Sequence, residues 1–132
     1  MMRGGFGFWG PFLAGAVLAL PAMAQGDGRT LFAQNCAACH QASGKGVPGA
    51  FPALIGDKVV TGPAMSAAAI VLNGRGGMPA FAEDLSNDVI AEVLTYVRTA
   101  WGNQAGPLTA ADVAAARTAP RAERAGGALQ AH

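Results

Sequence analysis

The residues best suited to chemistry in this chain lie at positions 36 to 40, which read Cys-Ala-Ala-Cys-His. Two thiols three positions apart lie on one helical turn, where each can add to a vinyl group of the same porphyrin. His40 follows directly and can offer an imidazole to the porphyrin iron. The spacing therefore predicts covalent attachment of one haem c through Cys36 and Cys39, with His40 as an iron ligand.

The same two thiols allow a second interpretation, because Cys36 and Cys39 are the only cysteines of the chain. A disulfide between them would close a very small loop and would constrain the chain little. A thiol–disulfide oxidoreductase normally carries such a pair at the start of a helix that follows a strand. No strand-like alternation precedes Cys36, so the sequence favours haem attachment.

The methionines are the candidates for a second iron ligand, since a thioether favours ferrous iron and raises the reduction potential. Beyond residue 24 the chain has only Met65 and Met78. Met65 lies among small residues of a predicted helix, which favours a core or gap-filling role. Met78 lies in Gly-Gly-Met-Pro, where glycines permit unusual backbone angles and Pro79 fixes the exit direction. These features favour Met78 as the iron ligand, whereas His132, at the end of a loose tail, is expected to be exposed.

The N-terminus has the pattern of an export signal. Arg3 supplies a positive start, an uncharged and largely apolar stretch extends to Ala24, and that stretch ends in Pro-Ala-Met-Ala. The pattern predicts a secretory signal peptide over residues 1–24 and a periplasmic location. An uncleaved anchor is the alternative, since about 20 uncharged residues can cross a bilayer, although Pro11 and Pro21 disfavour a stable spanning helix.

The remaining chain predicts one small domain with balanced charge. The sequence has nine Lys and Arg against eight Asp and Glu, and removal of Arg3 makes the numbers equal. No basic stripe indicates a nucleic-acid partner. We assign residues 25–118 to the domain and predict a disordered tail over residues 119–132, which has no apolar periodicity. So small a domain often needs an additional stabilising element, such as a crosslink or a bound cofactor, and a covalent haem would provide one.

Apolar spacing and capping residues predict an all-α fold of about four short helices joined by Gly- and Pro-rich loops. Residues 41–63 are expected to form a long folded loop with room for a turn of helix. The predicted helices run from Asp27 to the cysteines, from about residue 63 or 64 to Leu72, from Ser86 to about Ala100, and from Thr109 to Arg117.

With these elements in place, the chain beyond residue 24 resembles a class I c-type cytochrome. In that family a small residue and an aromatic residue precede the first cysteine, as Gly28 and Phe32 do here. The resemblance implies a cytochrome c-like fold wrapped around one haem, in which the N-terminal helix crosses the C-terminal one. Gly28 and Phe32 would then meet the helix face that carries Val93 and Tyr96.

The resemblance also implies roles for residues that follow the haem-ligating histidine. Pro52, Leu54 and Gly56 follow His40 at the distances of the family pattern. The Pro52 carbonyl would accept the Nδ1 proton of His40, which leaves Nε2 for iron and makes the ring a better donor. Leu54 would lie against the porphyrin.

The stretch from Leu72 to Phe81 resembles the Met-ligand loop of bacterial members and supports Met78 as the sixth ligand. Arg75 in this stretch either pairs with a haem propionate, for which a guanidinium is well suited, or is a solvated surface charge. Lys45 and Lys58 are either part of a docking surface or, as is more common for lone lysines, merely solvated.

Residues 96–103 resemble the end of haem domains in bacterial membrane dehydrogenase cytochrome subunits and haem-fused nitrite reductases. With one attachment motif, the resemblance implies a single-haem electron carrier and not an enzyme. It would exchange electrons in transient contacts with a redox donor and an acceptor oxidase or reductase. A haem subunit tethered to a membrane dehydrogenase or oxidase complex is one alternative, and an open-site haem enzyme, if Met78 does not bind iron, is another. Membrane contact would come only through a partner or an uncleaved N-terminus.

Overall fold

A computed structural model describes residues 27–119, which form six helices and two isolated β-bridges. The prediction of an all-α fold is confirmed. The predicted signal peptide lies outside the described residues, as does the predicted tail beyond residue 119. The helices are α1 (Gly28–Asn35), α2 (Ala37–His40), α3 (Lys58–Thr61), α4 (Ala64–Asn73), α5 (Asn87–Thr99) and α6 (Ala110–Thr118).

The number of helices exceeds the predicted four because two of them are only four residues long. Cys36 has φ −126° and ψ −31°, and this departure from helical angles divides the first predicted helix into α1 and α2. Helix α3 forms inside the predicted loop, where the Asp57 side chain accepts hydrogen bonds from the backbone N–H of Val59 and Val60. Apolar periodicity cannot detect a helix of one turn.

Three ends of the longer helices lie at residues that capping rules indicate. The Ser86 hydroxyl accepts a hydrogen bond from the backbone of Val89 at the start of α5. Thr109 and Asp112 form a reciprocal capping box at the start of α6. Helix α4 ends at Gly74, whose φ of +71° is costly for residues with a side chain.

Helices α1 and α5 cross in close contact, as the resemblance implies. A Cβ atom on Gly28 would meet the carbonyl oxygen of Glu92 and lie 2.8 Å from the Cβ of Tyr96, so only glycine fits at this crossing. Next to it, the ring of Phe32 is 2% exposed and its centroid lies 5.6 Å from that of Tyr96. The crossing fixes the helix that precedes the cysteines.

Two apolar cores hold the helices together. The α1–α5 core contains Leu31, Phe32, Val60, Val93 and Val97, and Cys36 and Leu54 pack against it. The α4–α6 core joins α4, α5 and α6 through nine buried side chains: Ala67, Ala68, Leu72, Ile90, Ala91, Leu94, Leu108, Val113 and Ala116. Within residues 27–119, none of the helices has the length and apolar character that crossing a bilayer requires.

Candidate cofactor site

His40 lies at the end of α2 and is oriented by a single hydrogen bond. Its side chain is 9% exposed, and Nδ1 lies 3.0 Å from the carbonyl oxygen of Pro52, which is the contact that the resemblance implies. Because a carbonyl can only accept, Nδ1 carries the proton and Nε2 keeps its lone pair. Among residues 27–119, Nε2 has no hydrogen-bond partner. A buried imidazole nitrogen with a free lone pair is well suited to bind a transition metal.

Cys36 and Cys39 are both free thiols at the start of the turn that carries His40. The backbone N–H groups of Cys39 and His40 both donate to the carbonyl of Cys36, at 3.2 and 3.0 Å, so the three residues share one turn. Burial, together with the neighbouring Cys39, raises the pKa of the Cys36 thiol to about 11. Reactive thiols of disulfide oxidoreductases have lowered pKa values, so this environment argues against that alternative.

The loop after α2 folds back so that Pro52 reaches His40. The backbone N–H of Gly46 donates to the His40 carbonyl at 2.9 Å, and that of Leu54 donates to Gly44 at 2.8 Å. A Cβ atom on Gly46 would lie only 2.5 Å from the Pro52 carbonyl oxygen, and its φ is +63°. Glycine at this position therefore allows the loop to pass close to itself.

Large apolar side chains remain exposed on this loop. Val47 is 37% exposed, Phe51 41% and Ile55 40%. So many exposed large apolar groups in one short segment indicate a surface that a ligand covers. A flat apolar cofactor attached at the cysteines and bound by His40 Nε2 fits this surface.

Asn103 ties the same loop to the end of α5. Its Oδ1 accepts a hydrogen bond from the Gly56 N–H at 2.8 Å, and its Nδ2 donates to the carbonyls of Leu54 at 3.1 Å and Val97 at 2.8 Å. The amide is buried with all these bonds made. The sequence alone predicted no role for Asn103, because an asparagine after a glycine indicates only a turn.

Arg98 was also missed as a structural residue. Its position in the last turn of α5 suits the helix dipole, but its side chain is 5% exposed and extends into the molecule. Nη1 donates to the carbonyls of Val60 at 2.7 Å and Gly62 at 2.8 Å, and Nε donates to Gly106 at 2.8 Å. Burial lowers the pKa of Arg98, although a guanidinium stays charged at neutral pH. The Arg98 guanidinium therefore links α5 to α3 and to the segment before α6 through these hydrogen bonds.

Met78 lies in a separate turn between α4 and α5. The backbone N–H of Met78 donates to the Arg75 carbonyl at 2.9 Å, and that of Arg75 donates back at 3.2 Å. Gly74 precedes this turn, and a Cβ there would lie 2.6 Å from the Met78 carbonyl oxygen. Met78 is half-buried and Arg75 exposed. Iron ligation by Met78 and propionate pairing by Arg75 stay predictions.

The prediction that Met65 fills the core is wrong. Its side chain is 40% exposed on the first turn of α4. The small residues that follow it, Ala67 and Ala68, occupy the α4–α6 core instead. Periodicity within an alanine-rich helix does not reveal which face is buried, because small residues fit on either face.

The amino-acid sequence of this chain is similar to those of several known proteins. A model of the family described as "Cytochrome C oxidase, cbb3-type, subunit III" matches residues 24–97. The alcohol dehydrogenase (quinone) cytochrome c subunit of Komagataeibacter europaeus is 35% identical over 99 residues, covering 65% of this chain and 21% of the relative. This chain therefore corresponds to about a fifth of that subunit.

Two shorter relatives match over more of their own length. Cytochrome c-552 of Thermus thermophilus is 38% identical over 98 residues, which cover 62% of this chain and 65% of the relative. Cytochrome c6 of Leptolyngbya boryana is 39% identical over 72 residues, which cover 53% of this chain and 85% of the relative.

Proposed function

Since the chain belongs to the family of c-type cytochrome domains described as cytochrome c oxidase, cbb3-type, subunit III, we propose that it is a periplasmic monohaem electron carrier. Membership implies one covalently bound haem c, and Cys36 and Cys39 have the spacing that its attachment needs. Relatives named cytochrome c-552 and cytochrome c6 support single-electron transfer between partner proteins.

The observation that carries the proposal is the hydrogen bond between His40 Nδ1 and the Pro52 carbonyl. It fixes the tautomer and the ring orientation, and it makes Nε2 a stronger donor to iron. When bound, the haem supplies one iron that gains or loses a single electron. Met78 would offer its thioether to the same iron and so favour the ferrous state.

Ligation by two side chains determines the kind of chemistry. If His40 and Met78 both held the haem iron, they would leave no position for oxygen or peroxide, and the site would favour electron transfer over catalysis. Leu54 and Phe51 would exclude water from the haem, which disfavours the additional charge of the ferric state. Arg75, exposed next to Met78, would pair with a propionate.

A haem subunit of a dehydrogenase or oxidase complex is the second candidate function. The relative in Komagataeibacter europaeus is named as a dehydrogenase subunit, and one in Azorhizobium caulinodans, 36% identical, as the FixP subunit of a cbb3-type oxidase. Sedimentation of the native protein separates the two candidates. After mild detergent lysis of the native cells, a carrier sediments alone, whereas a resident subunit sediments with a larger haem-containing complex.

Visible spectroscopy of the holoprotein tests the ligand assignment. We expect a low-spin c-type spectrum with a thioether–iron charge-transfer band, which disappears in Met78→Ala. Met65→Ala is the matched control, because that methionine lies on α4 outside the turn, and its band should persist. A high-spin spectrum without this band would support the open-site enzyme instead, and a band that survives Met78→Ala would mean that Met78 is not the thioether ligand. Absence of covalent haem would return Cys36 and Cys39 to thiol chemistry.

A further inference from the structure

Helix α6 lies beyond residues 24–97, the part of the chain that the family model matches. It is firmly attached to the domain, since Val113 and Ala116 are both 0% exposed and pack between α4 and α5. The capping box of Thr109 and Asp112 fixes its first turn. An element held this well can in turn hold a neighbouring segment.

Arg117, near the end of α6, contacts the segment that leads from the Met78 turn into α5. Its Nη1 donates to the carbonyl of Ala82 at 2.5 Å, its Nη2 to that of Leu85 at 2.7 Å, and its Nε to Asn87 Oδ1 at 2.5 Å. A planar guanidinium can satisfy three acceptors at once, whereas a lysine ammonium on its flexible stem lacks this fixed geometry. One side chain therefore holds segment 82–87 at three points.

The Met78 turn itself has few attachments of its own. Before it, Gly74 donates to Ile70 at 2.8 Å, and after it, Phe81 donates to Val71 at 2.9 Å. The turn is thus held mainly by what secures its two ends. The end at α4 is part of a helix, whereas the end toward α5 is secured by Phe81 and Arg117.

We propose that Arg117 is a positioning residue for Met78, through which α6 keeps the thioether on the haem iron. This inference rests on the proposed function, in which Met78 is the sixth ligand. When Met78 leaves the iron, the turn must move away, and the anchored segment 82–87 restricts that movement. Loss of the three hydrogen bonds would raise the fraction of molecules in which the iron is open.

Binding of an external ligand reports the fraction of molecules in which Met78 has left the iron. Imidazole binds ferric iron only where Met78 has left, so its apparent dissociation constant falls in proportion as the open fraction rises. Hydrogen bonds from a charged donor are stronger than neutral ones. We therefore expect imidazole to bind Arg117→Ala at least about tenfold more tightly than the wild type, as the loss of one such bond would produce.

The experiment titrates imidazole into ferric holoprotein while the thioether–iron band is followed. Arg117→Lys should also bind imidazole more tightly than the wild type, though less so than Arg117→Ala, and it is the decisive variant if Arg117→Ala does not fold. Val93→Ala is the control, because Val93 belongs to the α1–α5 core, which includes no residue of segment 82–87. It should lower overall stability and leave imidazole affinity unchanged.

The outcomes separate this inference from the proposed function. Equal imidazole affinity in the Arg117 variants and Val93→Ala overturns the positioning role alone, provided that Met78→Ala abolishes the band. A band that survives Met78→Ala overturns the ligand assignment and this inference with it. Tighter binding confined to the Arg117 variants supports the inference.

Discussion

At the scale of single residues, buried polar side chains connect the loop between α2 and α3 to the helices. Asn103 is the clearest case, because its amide contacts backbone groups of Gly56 and Leu54, which lie far away in the chain. Both contacts are partly buried, and the amide replaces the water that these backbone groups would otherwise bind. The loop that supplies Pro52 to His40 is held in place in part by this contact.

Replacement of Asn103 should show how much this contact contributes. Asn103→Ala removes the hydrogen bonds to the half-buried Leu54 carbonyl and the Gly56 N–H, and it takes this donor from the buried Val97 carbonyl. We expect the free energy of unfolding to fall by about 2–4 kcal/mol. Guanidinium chloride unfolding of the holoprotein measures the change. Gln104→Ala is the control, since this exposed neighbour should change stability by less than about 0.5 kcal/mol. Equal midpoints for the two variants would mean that Asn103 does not secure the loop.

At the scale of helices, sequence patterns were informative where an element is long and capped. Ser86 and Thr109 located the starts of α5 and α6, and the spacing of apolar residues located the buried face of α5. The short helix α3 could not be found in this way, because its four residues are too few to show an apolar periodicity. Local capping chemistry is readable from sequence, whereas one-turn helices are stabilised by tertiary context.

The crossing of α1 and α5 allows a test in which two effects oppose each other. Alanine in place of a helical glycine usually gains about 1 kcal/mol in helix propensity. In Gly28→Ala, however, the new methyl group meets the Glu92 carbonyl and Tyr96, and separation of the helices should cost about 1–3 kcal/mol. We expect a net loss of stability, visible as a lower thermal midpoint when unfolding is followed by the haem absorbance.

Gly106→Ala provides the matched control for Gly28→Ala. A Cβ at Gly106 has open space around it, and the backbone there is not in the left-handed region. Its midpoint should stay close to that of the wild type. A Gly28→Ala midpoint equal to or above the control would contradict close packing at the crossing.

The site was predictable to the extent that its chemistry is local. The attachment motif needs only the spacing of Cys36, Cys39 and His40, and resemblance supplied Pro52. The partners of Arg98 were not predictable, since they are backbone carbonyls that lie 36 and 38 residues away in the chain. Which carbonyls are left unpaired follows from how the loops fold, and no residue type at those positions indicates it.

At the scale of the whole molecule, the protein has two small cores and an apolar surface between its loops. Neither core includes Val47, Phe51 or Ile55, although all three are large and apolar. In a domain of this size, such groups represent a substantial part of the apolar area available for burial. The covalent cofactor would therefore contribute to folding as well as to electron transfer.

Removal of the attachment site should reveal this contribution. We expect the double variant Cys36→Ser, Cys39→Ser, purified without haem, to lose near-UV circular dichroism and bind a hydrophobic dye, as molten states do. Met78→Ala is the control, since it keeps the covalent haem and should retain the native spectrum. Cooperative unfolding of the double variant, with a midpoint like that of the holoprotein, would contradict this dependence.

The position of Trp101 has a consequence for how this protein can be observed. Its ring lies 5.3 Å from that of Phe32 and 5.4 Å from that of Tyr96, measured between centroids, and it also packs on Gly44. It is the one tryptophan within residues 27–119. Because three segments meet at this indole, its fluorescence is a built-in reporter of their assembly. Energy transfer from Trp101 to a bound haem would time the docking of α1 against α5 without any added label.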